Sequence, residues 1–139
     1  MENSQSVAVL GGGSFGTVLA NLAASNGYNV SLWVRDSEQA LRINSEGANT
    51  TYHPELKLSK NIIASDNLKE VLNNKSIIFI ATPSIVFEQI VIRVSDYIDE
   101  KPYLVSCTKG ILDDPFRPLS DIISSKLNNT VGAVSYTHL

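Results

Sequence analysis

The hydrophobic positions of this chain fall into short apolar runs that alternate with stretches of helical period. Residues 7–10 form a continuous apolar run of strand length, and the apolar residues after Gly16 recur at helical spacing. The same alternation predicts further strands at residues 29–34, 62–64, 76–81 and 103–107. Strands that alternate with helices in this way predict a doubly wound α/β fold, in which helices cover both sides of a parallel sheet.

Helix signals follow most of these strands. The predicted helices beyond the first cover residues 37–43, 68–72, 87–99 and 119–127. Ser37 is a candidate N-cap for the second helix, and Asp66 or Asn67 can cap the third. Residues 47–60 and 108–118 lack a clear period, and both segments are predicted to be loops.

Three glycines mark the turn between the first strand and the first helix. Gly11, Gly13 and Gly16 have G-x-G-x-x-G spacing, with a strand on one side and a helix on the other. In such an element the first glycine permits a tight turn, the second leaves room for a pyrophosphate, and the third allows close helix packing. The helix N-terminus then attracts the anion. We therefore predict a dinucleotide or nucleotide site here, with a purely structural turn as the alternative.

Composition narrows the class of protein. The chain has 139 residues and a net charge of −3, which fits one globular domain and argues against a general nucleic-acid or anionic-membrane surface. No apolar run approaches the length of about 20 residues that a membrane helix needs. No secretion signal is recognised, so a cytoplasmic location is expected. Cys107, the single cysteine, is expected to be a buried small residue, and no metal-ligand spacing or catalytic triad is present.

Four strand ends, at Gly11, Arg35, Thr82 and Thr108, should face one cleft, where ligands bind in open α/β sheets. Arg35 and Asp36 follow the second strand, at the position where dinucleotide-binding domains contact the adenosine ribose. Arg35 can hold a 2′-phosphate, so NADP is favoured over NAD, with a solvated arginine as the alternative. Asp36 can serve an unmodified ribose or cap the next helix.

Further candidates stand near the same cleft. Lys109 follows the fifth strand, where its ammonium can contact a nicotinamide ribose or a substrate phosphate, or remain solvated. Pro83 gives a rigid turn after the fourth strand, beside the cofactor or simply ending the strand. Phe15 must either pack under the sheet or flank the nicotinamide. Tyr52 and His53 can cover the adenine, with ordinary loop packing as the alternative.

Four segments in order resemble the N-terminal domain of bacterial NAD(P)-dependent glycerol-3-phosphate dehydrogenases. They are Gly-Gly-Gly-Ser-Phe-Gly-Thr at 11–17, Leu-Trp-Val-Arg-Asp at 32–36, Ala-Thr-Pro-Ser at 81–84 and Thr-Lys-Gly-Ile at 108–111. The likeness extends from residue 7 to about residue 127. It implies a Rossmann-type sheet that binds NADP or NAD.

The resemblance also implies an activity and several residue roles. The activity is hydride transfer between NAD(P)H and dihydroxyacetone phosphate or sn-glycerol 3-phosphate, which feeds phospholipid synthesis. Ser14 and Phe15 match cofactor-contacting positions, and Arg35 matches the arginine that accepts NADP. Tyr52 lies in a loop that comes near the cofactor, and Lys109 matches a lysine that touches both cofactor and substrate.

The sequence departs from this family in its C-terminal part. Family members carry a further helical domain, with the general acid/base lysine and most substrate-phosphate contacts, which is absent here. No catalytic residue is therefore assigned in this chain, and the fragment alone is expected to be inactive. Residues 1–133 are expected to form the NAD(P)-binding domain, and residues 134–139 resemble a translated sequencing adapter. The sequence leaves the oligomeric state of the parent open, with a homodimer considered.

Three other functions remain open at this stage. Another dehydrogenase of related architecture, of the ketopantoate or sugar-nucleotide type, would share the glycine loop. A methyltransferase would share the strand and the glycine turn, but it prefers an acidic residue at the ribose position. A stand-alone nucleotide-binding module without catalysis is the third alternative.

Overall fold

A computed structural model describes residues 5–98, 102–107, 111–113, 116–118 and 134–136 of this chain. The strands are β1 (Ser6–Leu10), β2 (Asn29–Trp33), β3 (Ile62–Ser65), β4 (Ile77–Ile80), β5 (Tyr103–Ser106), β6 (Ile111–Asp113), β7 (Phe116–Pro118) and β8 (Val134–Tyr136). The helices are α1 (Ser14–Ser25), α2 (Ser37–Glu46), α3 (Leu68–Leu72) and α4 (Ser84–Tyr97). The five predicted strands are confirmed to within about two residues at each end.

Six of these strands form one sheet in the order β3-β2-β1-β4-β5-β8, and every neighbouring pair in it is parallel. The chain extends outward from β1 on one side through β2 and β3, and on the other through β4 and β5. The switch in direction lies between β1 and β4, where Leu10 stands opposite Ile80. The predicted parallel α/β fold is confirmed, and the switch marks the usual ligand crevice of such sheets.

Two apolar clusters, one on each face of the sheet, form the core. Along β1, Val7 and Val9 belong to the cluster that includes α1 and α2, whereas Ala8 and Leu10 belong to the cluster that includes α3 and α4. This alternation follows from the two-residue period of a strand. A strand covered on both faces is apolar at every position, which explains the continuous run at residues 7–10.

The helix caps correct one sequence prediction. Asp36, and not Ser37, is the N-cap of α2, because its Oδ1 accepts the backbone N–H of Glu38 at 3.0 Å. Asn67 caps α3 by accepting the N–H of Glu70 at 3.1 Å, which decides between the two residues predicted for that role. Both carboxylate and amide oxygens are strong N-cap acceptors, so sequence alone does not choose between neighbouring candidates.

The two predicted loops differ in outcome. Residues 47–60 contain no helix or strand, as predicted. Residues 108–118 were expected to be a loop as well, and this is wrong in part: β6 and β7 form an antiparallel pair in which Leu112 stands opposite Arg117. Strands of three residues are too short to display a two-residue period, so the pattern gave no signal.

The C-terminal expectations are only partly within the described residues. Strand β8 pairs in parallel with β5, and Val134 stands opposite Leu104. The adapter origin of residues 134–139 and the domain boundary at residue 133 stay predictions. The helix expected at residues 119–127 lies outside the described residues. Within the described part of the chain, no helix is both long and apolar enough to cross a bilayer.

Candidate functional site

A cavity of about 870 Å³ lies at the carboxyl ends of the central strands. Gly11, Arg35 and Thr82, which follow β1, β2 and β4, all line it, and so does Cys107 after β5. The prediction that four strand ends face one cleft is confirmed for Gly11, Arg35 and Thr82, and Thr108 lies outside the described residues. The volume falls within the range of about 300–1,000 Å³ that is typical of ligand and cofactor sites.

The glycine loop forms the floor of this cavity through very close backbone contacts. Gly11 has a φ of +123°, and a Cβ there would stand 2.7 Å from the carbonyl oxygen of Ala81. A Cβ on Gly16 would stand only 1.9 Å from the carbonyl oxygen of Gly11. Gly13 differs, because no atom would lie within 4 Å of its Cβ. The loop is therefore packed at both ends and presents bare backbone to open space at Gly13.

The N-terminus of α1 faces the same cavity. Gly13 is its N-cap, no side chain caps the first turn, and that turn contains no acidic residue. Its N–H groups and the positive end of the helix dipole are thus suited to an anion. Ser14 and Phe15 begin the helix and line the cavity. Phe15 is 43% exposed and does not pack under the sheet, which leaves the first of its two predicted placements wrong.

A buried polar network fixes the back of the glycine loop. The carbonyl oxygen of Gly12 accepts from Gln39 Nε2 at 3.0 Å and from Asn49 Nδ2 at 2.8 Å. Asn49 Nδ2 also donates to Thr17 Oγ1 at 2.8 Å, and Thr17 Oγ1 donates to the carbonyl oxygen of Gly13 at 2.7 Å. Asn49 is 1% exposed and Thr17 is fully buried. This network ties helix α2 and the loop at residues 47–60 to the glycine turn.

No pattern in the sequence indicates this network. Asn49 lies 37 positions from Gly12 and 32 from Thr17, and Gln39 lies 27 positions from Gly12, so these hydrogen bonds produce no local pattern in the sequence. One weak signal is Thr17, a polar residue on the face of the first helix that packs against the sheet, where an apolar residue is usual.

The loop at residues 47–60 makes a second contact with the helix N-terminus. His53 Nε2 lies 3.0 Å from Ser14 Oγ and 3.0 Å from the carbonyl oxygen of Ser14. Tyr52, beside it, is half-exposed and lines the cavity. The loop therefore borders the glycine turn, and His53 contacts α1 directly.

The end of β2 brings cationic and aromatic side chains to one wall of the cavity. Arg35 and Asp36 are exposed and line the cavity. Arg93 of α4 also lines it, with its guanidinium carbon 5.6 Å from the ring centroid of Trp33. Trp33 Nε1 donates to the carbonyl oxygen of Asp66 at 3.0 Å, which fixes the indole ring. Two arginines and one aspartate thus line this wall, and Arg93 and Trp33 were not predicted as site residues.

The ends of β4 and β5 complete the wall. Thr82 is buried, and Pro83 is the N-cap of α4 and lines the cavity. Cys107 is partly buried rather than fully buried, and desolvation raises the pKa of its thiol. No group of three or more potential metal-ligating side chains occurs within the described ranges.

Nearly every predicted site residue reaches this one cavity. The predicted residues that line it are Gly11, Gly13, Ser14, Phe15, Gly16, Arg35, Asp36, Tyr52 and Pro83. Lys109, the predicted substrate contact, lies outside the described residues. The location of these residues is thereby established, and their individual roles stay predictions.

Comparison with known proteins gives consistent matches over nearly the whole chain. The family model described as NAD-dependent glycerol-3-phosphate dehydrogenase N-terminus matches residues 6–137. A glycerol-3-phosphate dehydrogenase [NAD(P)+] from Alcanivorax borkumensis is 39% identical over 139 residues, which are 99% of this chain and 40% of that protein. The one from Acinetobacter baylyi is 43% identical over 121 residues, 87% of this chain and 34% of that protein. The chain thus spans about two fifths or less of these curated relatives.

Solved structures give the same result. Glycerol-3-phosphate dehydrogenase from Coxiella burnetii superposes with a TM-score of 0.84 at 31% identity, covering 96% of this chain and 39% of that one. A ketopantoate reductase from Ralstonia eutropha superposes with a TM-score of 0.72 at 15% identity, covering 95% of this chain and 40% of that one. At such low identity the second likeness concerns the fold alone.

Proposed function

This chain belongs to the family of NAD-dependent glycerol-3-phosphate dehydrogenase N-termini, and on that premise we propose that it is the cofactor-binding part of an oxidoreductase. The proposed parent enzyme transfers a hydride between NAD(P)H and dihydroxyacetone phosphate or sn-glycerol 3-phosphate. It would act in the cytoplasm and supply the phosphorylated glycerol of phospholipid precursors. The proposed partner is thus a small phosphorylated substrate.

The observation that carries the proposal is the bare backbone at Gly13, set over an uncapped helix N-terminus within a cavity of cofactor size. A dinucleotide needs a place where two adjacent phosphates can approach backbone N–H groups without meeting a side chain. Gly13 provides that space, and Ser14 adds a hydroxyl beside it. The residues present therefore fit the group, with the pyrophosphate assigned to the turn at Gly13.

The wall at the end of β2 suits the adenosine end of the cofactor. Arg35 is exposed on this wall and carries a fork of N–H donors that matches a phosphate. We favour NADP over NAD on this ground. One oxygen of Asp36 already caps α2, so its placement is explained by helix capping without any ligand.

The chemistry requires more than these residues. A bound nicotinamide supplies or accepts the hydride, while the protein must hold the substrate beside it and provide a proton donor. Lys109 is proposed, from the family resemblance, to contact both cofactor and substrate. The general acid/base lysine is expected in the part of the relatives that this chain does not match. This chain alone is accordingly expected to bind the cofactor and to show almost no turnover.

The decisive experiment is a calorimetric titration of the 139-residue chain with NADPH and NADH, with S-adenosylmethionine as the comparison ligand. Saturable binding of both dinucleotides, tighter for NADPH, is expected, together with no binding of S-adenosylmethionine. A chain that melts cooperatively but binds neither dinucleotide would overturn the proposal. Preferred binding of S-adenosylmethionine would indicate a methyltransferase instead.

A further inference from the structure

His53 makes a pair of contacts that together constrain where its hydrogen lies. Its Nε2 stands 3.0 Å from Ser14 Oγ and 3.0 Å from the carbonyl oxygen of the same residue. A carbonyl oxygen can only accept a hydrogen bond, whereas a hydroxyl can donate or accept. Both contacts are favourable together only when Nε2 carries the hydrogen and donates it to the two oxygens. The geometry thus selects the Nε2–H form of the ring.

This form has a consequence for Ser14. When Ser14 Oγ accepts from His53, its own hydrogen is not used in that bond and can be donated elsewhere. Ser14 is the first residue of α1, follows Gly13 and lines the cavity. In the other ring form, Nε2 would consume the hydroxyl hydrogen and would place its lone pair against the carbonyl oxygen.

We propose that His53 is a positioning residue that holds the Ser14 hydroxyl as a hydrogen-bond donor toward the pyrophosphate of the bound dinucleotide. The inference rests on the proposed function, and it assigns His53 a role that differs from covering the adenine. An anion gains from a donated O–H and is repelled by an exposed lone pair, so the ligand and the Nε2–H form favour each other.

The surroundings of His53 hold the ring in place for this role. The backbone N–H of His53 donates to the carbonyl oxygen of Asn49 at 2.8 Å, and the N–H of Tyr52 donates to the same oxygen at 3.1 Å. Asn49 is buried and bonded to Gly12 and Thr17, as described above. The imidazole therefore projects from a fixed point next to the glycine loop, and its position does not depend on a long flexible side chain.

The test uses ADP-ribose, which carries the pyrophosphate and lacks the nicotinamide, as the calorimetric probe of the 139-residue chain. His53→Leu removes the donor, and His53→Gln keeps an N–H donor at a similar reach. Because hydrogen bonds donated to charged groups are stronger than those between neutral groups, Ser14→Ala is expected to weaken binding by about tenfold or more. His53→Leu should cost about fivefold and His53→Gln less than about twofold.

The double variant Ser14→Ala/His53→Leu distinguishes an effect of His53 on the Ser14 hydroxyl from a general disturbance of the loop at residues 47–60. If His53 acts through Ser14, His53→Leu has no further effect on ADP-ribose affinity in the Ser14→Ala background. Equal losses in both backgrounds, or no loss with Ser14 present, would overturn the inference while the proposed function stands. If the unaltered chain does not bind ADP-ribose, the proposed function fails and the inference fails with it.

A measurement without any substitution at His53 guards against variants that do not fold. Nitrogen-15 NMR in mildly alkaline buffer distinguishes the two neutral ring forms, and His138→Gln assigns the signals because the chain has two histidines. The Nε2–H form is expected for His53, with and without ADP-ribose. The Nδ1–H form in the ADP-ribose complex would refute the positioning role.

Discussion

Gly13 and Gly16 differ in what surrounds their missing side chains, and a matched pair of substitutions uses that difference. Gly16→Ala would place a methyl group against the Gly11 carbonyl oxygen, so we expect it to lower the free energy of unfolding by about 3 kcal/mol. Gly13→Ala meets no atom and keeps an extended backbone, so the cost should stay below about 1 kcal/mol. Denaturant unfolding measures both.

For nucleotide affinity the order of the two variants should be reversed: among folded molecules, Gly13→Ala should lose more affinity than Gly16→Ala. The methyl group of Gly13→Ala would occupy the space assigned to the pyrophosphate, so NADPH affinity should fall by at least about tenfold in a folded chain. Calorimetry on a sample of confirmed thermal stability provides the number. Full affinity in Gly13→Ala would show that the phosphates bind elsewhere.

Arg35 is predicted to read the 2′-phosphate that distinguishes NADPH from NADH. Removing a charge-assisted bidentate contact costs about 1.5–3 kcal/mol, so Arg35→Ala should weaken NADPH by roughly 10- to 100-fold and NADH by less than about threefold. Titration of both cofactors gives the ratio. Arg42→Ala, a partly exposed arginine on α2, is the control and should change neither value. Equal losses for the two cofactors in Arg35→Ala would remove the assignment.

Cys107 offers a chemical probe of the cavity, because it is the single cysteine and lines the wall after β5. Burial raises the pKa of its thiol, so less of the reactive thiolate is present at neutral pH than in a free cysteine. Iodoacetamide should therefore label the folded chain more slowly than the urea-unfolded chain, and NADPH should slow labelling further. Mass spectrometry follows the reaction. Unchanged labelling at saturating NADPH would place the cofactor away from β5.

At the scale of elements, the loop at residues 47–60 is attached to the glycine turn through one buried amide. Asn49→Ala would leave the Gly12 carbonyl oxygen with one fewer donor and open a small cavity, at a cost of about 2–3 kcal/mol in unfolding free energy. Hydrogen exchange of residues 50–58 should accelerate as well. Thr50→Ala is an exposed neighbour that should leave both quantities unchanged. A stable Asn49→Ala variant with a protected loop would refute the anchoring role.

The elements themselves were largely readable from the sequence because their signals are local. The apolar run at residues 7–10 and the spacing of Gly11, Gly13 and Gly16 report the strand and its turn directly. The link from Asn49 to Gly12 was not readable, since it joins residues 37 positions apart through a side chain. The position of Arg93 over Trp33 likewise depends on how α4 packs against the end of β2, which no local pattern encodes.

At the scale of the whole molecule, the cavity joins the ends of strands from both halves of the sheet, so a ligand there should stabilise the entire fold. A ligand at a free concentration of 100 times its dissociation constant adds about 2.7 kcal/mol to the unfolding free energy. For a domain of this size, that corresponds to a rise in Tm of about 10 °C. Differential scanning calorimetry with NADPH tests this. An unchanged Tm at saturation would mean that the folded chain does not bind the nucleotide in preference to the unfolded chain.

The central place of β1 in the sheet also governs how the chain can fold during synthesis. β1 leaves the ribosome before every other element described above, yet Val7 pairs on one side with Val30 and on the other with Ile77. A nascent chain can therefore form the β1–β2–β3 half early, while the other edge of β1 stays unpaired until β4 is synthesised. Translation that pauses within this interval leaves one edge of a core strand without its partner, and at that stage a chaperone would protect the growing chain from pairing with other chains.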